Sequence, residues 1–151
     1  MALPEEYDIL KISISRASII ELVELANKGR LVLLDGDVDG LFPNIHIRTA
    51  EDGHTFSGSM TIIDNSDGRH IHIGDVAYLR RNLLGPELDG KSIPQSLGAG
   101  SIINRVSAMQ DVLDFVNRDI DRVIIGHEPD SFNQFKSKVW QDGFRVAFIK
   151  K

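Results

Sequence analysis

The alternation of apolar and polar positions divides the chain into strands, helices and one long aperiodic stretch. Tyr7 to Ser13 alternates, with Ile9, Leu10, Ile12 and Ile14 apolar, and predicts a first strand. Ser18 with Glu21 three residues on is a capping box, and Ile19, Ile20, Leu22, Val23, Leu25 and Ala26 then predict an amphipathic helix. Asn27-Lys28-Gly29 is a stop signal, because Gly29 is free to take the left-handed conformation. Arg30 to Leu34 carries an unbroken apolar run and predicts a buried second strand. Strand, helix, strand in this order predicts a right-handed parallel crossover, and ligands of such sheets sit beyond the carboxyl ends of strands. Asp35 to Gly40 occupies such an end.

A different texture follows. Asn44 to Thr49, Thr55 to Ile63 and Arg69 to Ile73 read as three antiparallel strands, joined at Glu51-Asp52-Gly53 and at Asn65-Ser66-Asp67-Gly68. Ile45, Ile47, Ile71 and Ile73 are expected on the buried face of this 44–73 β-meander, with His46, Arg48, His70 and His72 on the other. Val76 to Leu84 predicts a short helix bearing Arg80 and Arg81. The stretch 85–100 is rich in Gly, Pro and Ser and reads as a flexible loop. Ser101 caps a helix with an apolar stripe at Ile102, Val106, Met109, Leu113 and Val116. Val123-Ile124-Ile125 predicts a third buried strand, followed by Gly126-His127-Glu128-Pro129-Asp130. Asp130 or Ser131 then caps a last helix with Phe132, Phe135 and Val139 inward, Gly143 ends it, and Phe144 to Ile149 closes the chain as a strand. The fold class so read is α/β: a single domain over 1–151, with a partly parallel sheet, flanking helices and the inserted three-stranded antiparallel meander.

Composition narrows this picture. The 151 residues are 42% apolar and 26% charged, as in a soluble globular domain. The absence of cysteine excludes disulfides and thiolate metal sites and suits the cytoplasm. No apolar run approaches the roughly 20 residues of a membrane helix. Met1 to Glu6 is acidic and without an apolar core, so it does not read as a signal peptide. The net charge of −5 argues against a broad electrostatic grip on nucleic acid and fits a basic protein partner equally well.

Candidate chemistry concentrates in the acidic turn. Asp35, Asp37 and Asp39 repel one another unless a cation sits among them, and hard divalent ions take several such oxygens. Asp35, Asp37 and Asp39 are therefore the expected metal ligands, for Mg²⁺ or Mn²⁺ with Ca²⁺ as the alternative. The D-x-D-x-D-G spacing is similar to the first half of an EF-hand loop, but Pro43 stands at the ninth position and His46 at the twelfth, where a bidentate Glu is needed. A strand also precedes the loop where a helix should, which leaves a calcium-stabilised domain of another kind as one reading. His70 and His72 share a strand face, and His46 on a neighbouring strand would complete a three-imidazole zinc or iron site; the bland reading is an outward polar face.

Leu31 to Asp37 and Arg122 to Ile149 together resemble PIN-like nucleases of the NYN type: a strand ending in Asp, then a closing strand, acidic turn, helix, Gly and strand. The resemblance implies that Asp35 matches the first acid and Asp130 the later one, with Glu128 close by. The family's Gly-Asp pair is replaced by Gly126-His127, and the family has no counterpart of the N-terminal strand and helix or of the meander. It implies metal-assisted phosphodiester hydrolysis, with Glu128 or His127 taking the proton and Arg80 and Arg81 holding an RNA or other phosphodiester backbone. The competing expectation is a non-catalytic interaction domain, an inhibitor, immunity or regulatory protein.

Overall fold

The computed structural model describes residues 15–50, 52–55, 57–95 and 100–149. The chain forms two compact units, Met1–Asp35 and Gly36–Lys151. In the first, helix α1 spans Arg16–Asn27. Its cap is Ser15, whose side chain accepts the Ser18 N–H at 3.1 Å, so the helix begins a few residues before the expected capping box. The stop is as expected, with Gly29 at φ 64°. The expected first strand lies outside the described residues. Arg30 to Leu34 is not a strand, and Val32 and Leu33 are about four-fifths exposed. An apolar run becomes a strand only by pairing, and nothing pairs with it here. The crossover built on it is therefore not formed among the described residues.

The second unit holds a five-stranded mixed sheet in chain order: β1 Val38–Phe42, β2 Ile45–Thr49, β3 Ser59–Asn65, β4 Gly68–His72 and β5 Val123–Ile124. The first four pair antiparallel, and β5 joins β4 in parallel. The meander is present and is one strand longer than expected, because the second half of the acidic turn enters β1. The acidic turn thus precedes a strand instead of following one.

Register decides what each face does. His46 stands opposite Ile62, which stands opposite Ile71; Ile45 stands opposite Ile63, and Ile63 opposite His70. Directly opposed residues share a face. Each strand alternates as expected, but the phases of β2 and β4 are offset, so Ile45 and Ile47 lie on the face of His70 and His72, away from Ile71. The three-imidazole site is excluded on this ground, since His46 projects from the opposite face to His70 and His72.

The Ile71 face carries the core. Helix α2 (Arg80–Leu84) and helix α3 (Ile102–Phe115) occupy the crossover between β4 and β5. Ala108, Met109, Val112 and Leu113 of α3 pack with Met60, Ile62, Ile71, Ile73, Val123 and Ile125. Ser101 caps α3 as expected, accepting the Asn104 N–H. The stripe is rotated from the expected one: Ile102 is exposed, whereas Arg105 is buried and donates to the carbonyls of Gln95 and Gly53. The α2 helix is shorter than expected, and its end is set by Gly85 at φ 76°.

The last expected helix is absent. Ser131–Gln134 forms one 3₁₀ turn, and β6 (Lys136–Val139) then pairs antiparallel with β7 (Arg145–Phe148) as a separate hairpin. Asp142 at φ 59° and Gly143 at φ 82° turn the chain between them. The strand–helix–strand closing unit that resembles PIN-like nucleases does not exist in this fold. No helix among the described residues is long and apolar enough to cross a membrane.

Leu113→Ala removes a fully buried side chain at the centre of the α3–sheet contact. Urea denaturation is expected to show a loss of about 2–5 kcal/mol.

Candidate functional site

The two strand ends that run in parallel deliver the chemistry. Beyond β4 come Ile73, Gly74 and Asp75; beyond β5 come Ile125, Gly126 and His127. Parallel pairing puts both ends on one rim, where ligands of such sheets collect. Asp75 Oδ1 lies 3.0 Å from His127 Nε2, and Asp75 Oδ2 lies 3.5 Å from His54 Nε2. One carboxylate therefore faces two imidazoles, one per oxygen, hydrogen-bonded to His127 and at 3.5 Å from His54. A carboxylate oxygen accepts, so His127 donates from Nε2 in this hydrogen bond. The Tyr78 ring lies between them, 4.4 Å from the His127 ring and 5.7 Å from that of His54. His127 is more than half exposed, whereas His54 is mostly buried, and its Nδ1 is enclosed without a hydrogen-bond partner. A small cleft of about 240 Å³ lined by His54, Thr55, Ser59 and Asp75 opens beside the carboxylate. The Gln95 amide ties down the Asp75 main-chain carbonyl at 2.8 Å.

The residues singled out from sequence do not all come together. His127 is in this cluster. Glu128 and Arg80 are fastened to each other instead: Glu128 Oε2 accepts the Arg80 N–H at 2.8 Å, and the Arg80 guanidinium holds Asp121 at 2.7 Å and Gln134 at 3.2 Å. Arg81 is exposed. Asp130 accepts from the Asn133 side chain at 2.8 Å within its own turn.

Asp37 and Asp39 belong to a separate charged network near the sheet edge. Asp37 Oδ1 accepts from both the N–H and the hydroxyl of Thr49, at 2.8 and 3.1 Å. Arg48 reaches Asp39 at 2.5 Å and Asp37 at 3.7 Å. His46 lies between Asp39 and Asp64, 3.2 Å from each. The positive charge that the crowded carboxylates require is supplied here by the chain's own Arg48. Its hydrogen bond holds the Asp39 carboxyl below the ordinary carboxylate range. Arg69, at 2.9 Å, does the same to Asp64. Asp35 falls in the first compact unit.

Sequence reasoning missed Asp75, His54 and Tyr78. Asp75 had a signal: Gly74-Asp75 follows an apolar strand in the same way that Gly126-His127 follows another. His54 had none, since it lies in a β2–β3 connection with no period.

No protein-family model and no curated protein matches the sequence. Solved structures do match in fold. An N-acyl homoserine lactone hydrolase, with N-hexanoyl-L-homoserine bound at its catalytic metal centre, superposes with a TM-score of 0.50 at 14% identity over 70% of this chain. A B. thuringiensis AiiA variant with N-decanoyl-L-homoserine at its active site gives the same values, as does a quorum-quenching N-acyl homoserine lactone lactonase. The chain spans only 38–40% of the length of these proteins. The shared feature is the fold of these solved structures, and it overturns the PIN-like nuclease resemblance.

Asp64→Asn tests the edge network through pH. The Asp64 pKa is lowered in the folded chain, so its contribution is present above the unfolded value of 3.8 and is lost as pH falls through the lower folded value. The melting-temperature gap between wild type and Asp64→Asn is expected to be full at about pH 5 and to close below pH 3.8.

Proposed function

We propose that the chain is a hydrolase of acyl bonds of the lactone or ester kind, with His127 and Asp75 at its reacting centre and His54 as a positioning residue. The observation that carries this reading is the single carboxylate joining two imidazoles on the rim where β4 and β5 end together. The fold likeness to lactone hydrolases supports the reaction class.

The product bound at a catalytic metal centre in one neighbour supports a divalent ion as cofactor. Two imidazoles and a carboxylate are the right donors in kind for such an ion. In arrangement they do not fit, because each imidazole engages a different oxygen of Asp75. Among the described residues, no three His, Asp or Glu side chains are grouped to hold a metal. The steps assigned here are therefore those of the chain's own side chains.

With its Nε2–H held by Asp75, His127 turns Nδ1 toward solvent as a general base. Nδ1 takes a proton from water as the water oxygen attacks the acyl carbon. The carbon–oxygen bond to the leaving alkoxide breaks, and the proton on Nδ1 passes to that oxygen. One water is added across the bond, and a lactone becomes a hydroxy acid. Asp75 stabilises the imidazolium that forms in between, and the Tyr78 ring against His127 restrains the plane of the imidazole.

Hydrolysis of a γ-lactone and of a p-nitrophenyl ester by wild type and Asp75→Asn tests the proposal. Loss of the imidazole's partner is expected to cost at least about 100-fold in kcat. An unchanged rate in the variant, with its melting temperature preserved, sinks the assignment. Chelation tests the arrangement: a wild-type rate that a chelator leaves unchanged is expected, and a rate that the chelator abolishes and Zn²⁺ or Mn²⁺ restores overturns it.

A further inference from the structure

The other face of the sheet carries a second cavity. Between β5 and the β6–β7 hairpin lies a groove of about 450 Å³, a volume within the range of small-molecule sites. Its walls are apolar, formed by Ile124, Phe132, Phe135, Val146, Ala147 and Ile149. Four polar side chains stand on its lining: His72 from the end of β4, Glu128, Arg145 and Ser131, whose hydroxyl donates to the Ile125 carbonyl. They differ in what already occupies them. Glu128 is turned to the Arg80 N–H. His72 is exposed, and its imidazole makes no hydrogen bond among the described residues. Among the described residues Arg145 has neutral partners, donating to Ser137 Oγ at 2.8 Å and to Asn133 Oδ1 at 3.3 and 3.4 Å, with its guanidinium over the Phe132 ring at 5.8 Å. By contrast, Arg48, Arg69, Arg80 and Arg122 each hold a carboxylate.

A guanidinium braced by neutral acceptors keeps its full charge for an incoming anion, and its planar fork matches a carboxylate. The aromatic ring beneath it excludes water from one side. An apolar trough that opens beside such a group has the chemistry of an amphipathic acid. We propose that this groove binds an unbranched aliphatic chain of medium length that ends in a carboxylate, with the tail along Ile124, Phe135 and Ala147 and the carboxylate on Arg145. The walls come from two separate sheets, the β4–β5 end of the main sheet and the C-terminal hairpin, so ligand binding couples the hairpin to the main sheet. Gly126 and Glu128 also flank His127, which puts the groove next to the Asp75 cluster. The binding site nevertheless stands independently of hydrolysis, because a free fatty acid is not a substrate for it.

Calorimetric titration with sodium decanoate below its micelle concentration tests the proposal, with butanoate and decan-1-ol as comparators. Saturable binding of one decanoate per chain is expected, at least about ten-fold tighter than butanoate. Ala147→Phe fills the trough and is expected to weaken decanoate at least about ten-fold. Arg145 is an exposed residue, so Arg145→Gln leaves the fold in place, and it is expected to reduce decanoate to the affinity of decan-1-ol. Absence of saturable heat overturns the proposal, as does decanoate binding that survives Arg145→Gln unchanged. Asp75→Asn is expected to leave decanoate binding intact, so a failure here and a failure of the hydrolase reading are told apart.

Discussion

Two residue pairs set the chemistry of this protein: Ile71 with Val123, and His72 with Ile124. They join β5 to the meander in parallel, and the Ile73 N–H extends the ladder to the Ile124 carbonyl at 3.2 Å. A strand of two residues has little hydrogen bonding of its own. What keeps it in place is burial of Ile71, Ile73, Val123 and Ile125 beneath α3, each essentially inaccessible. At about 1.5–3 kcal/mol for each such side chain, packing outweighs the few ladder bonds. Asp75 and His127 meet because the residues just before them are clamped in this way.

The same sheet separates two uses of charge. On the rim, the Asp75 carboxylate and the His127 imidazole are partly open to solvent and bonded to each other. Near the β1 edge, Arg48 pairs with Asp37 and Asp39, Arg69 pairs with Asp64, and the His46 ring lies between Asp39 and Asp64. These exposed pairs add little stability individually. Their arrangement as a connected network fixes the register of β1 on β2, where Gly40 at φ 66° accompanies an irregular pairing. A row of like charges that a chain satisfies internally looks, in one dimension, the same as a row that awaits a metal ion.

The clearest failures of sequence reading share one cause. The Leu31-Val32-Leu33-Leu34 run has the composition of a buried strand, yet composition does not provide a partner to pair with. Phe132 to Val139 has helical spacing, yet Lys136–Val139 finds Arg145–Phe148 across a tight turn at Asp142-Gly143, and local pairing wins. The resemblance to PIN-like nucleases rested on these two segments and falls with them.

What the sequence alone determined is what depends on neighbours a few residues apart. The helix stop at Gly29, the Ser101 cap, the Asn65–Gly68 hairpin turn and the alternation of β2, β3 and β4 are all of this kind. It also identified His127 as a residue at a strand end. Tertiary structure alone decided the phase between β2 and β4, which separates His46 from His70 and His72, and the approach of Asp75 to His54 and His127 across 21 and 52 positions of chain. The reason is physical: periodicity records which way a side chain points from its own backbone, whereas a site depends on which backbones lie side by side, and that is set by the packing of the core.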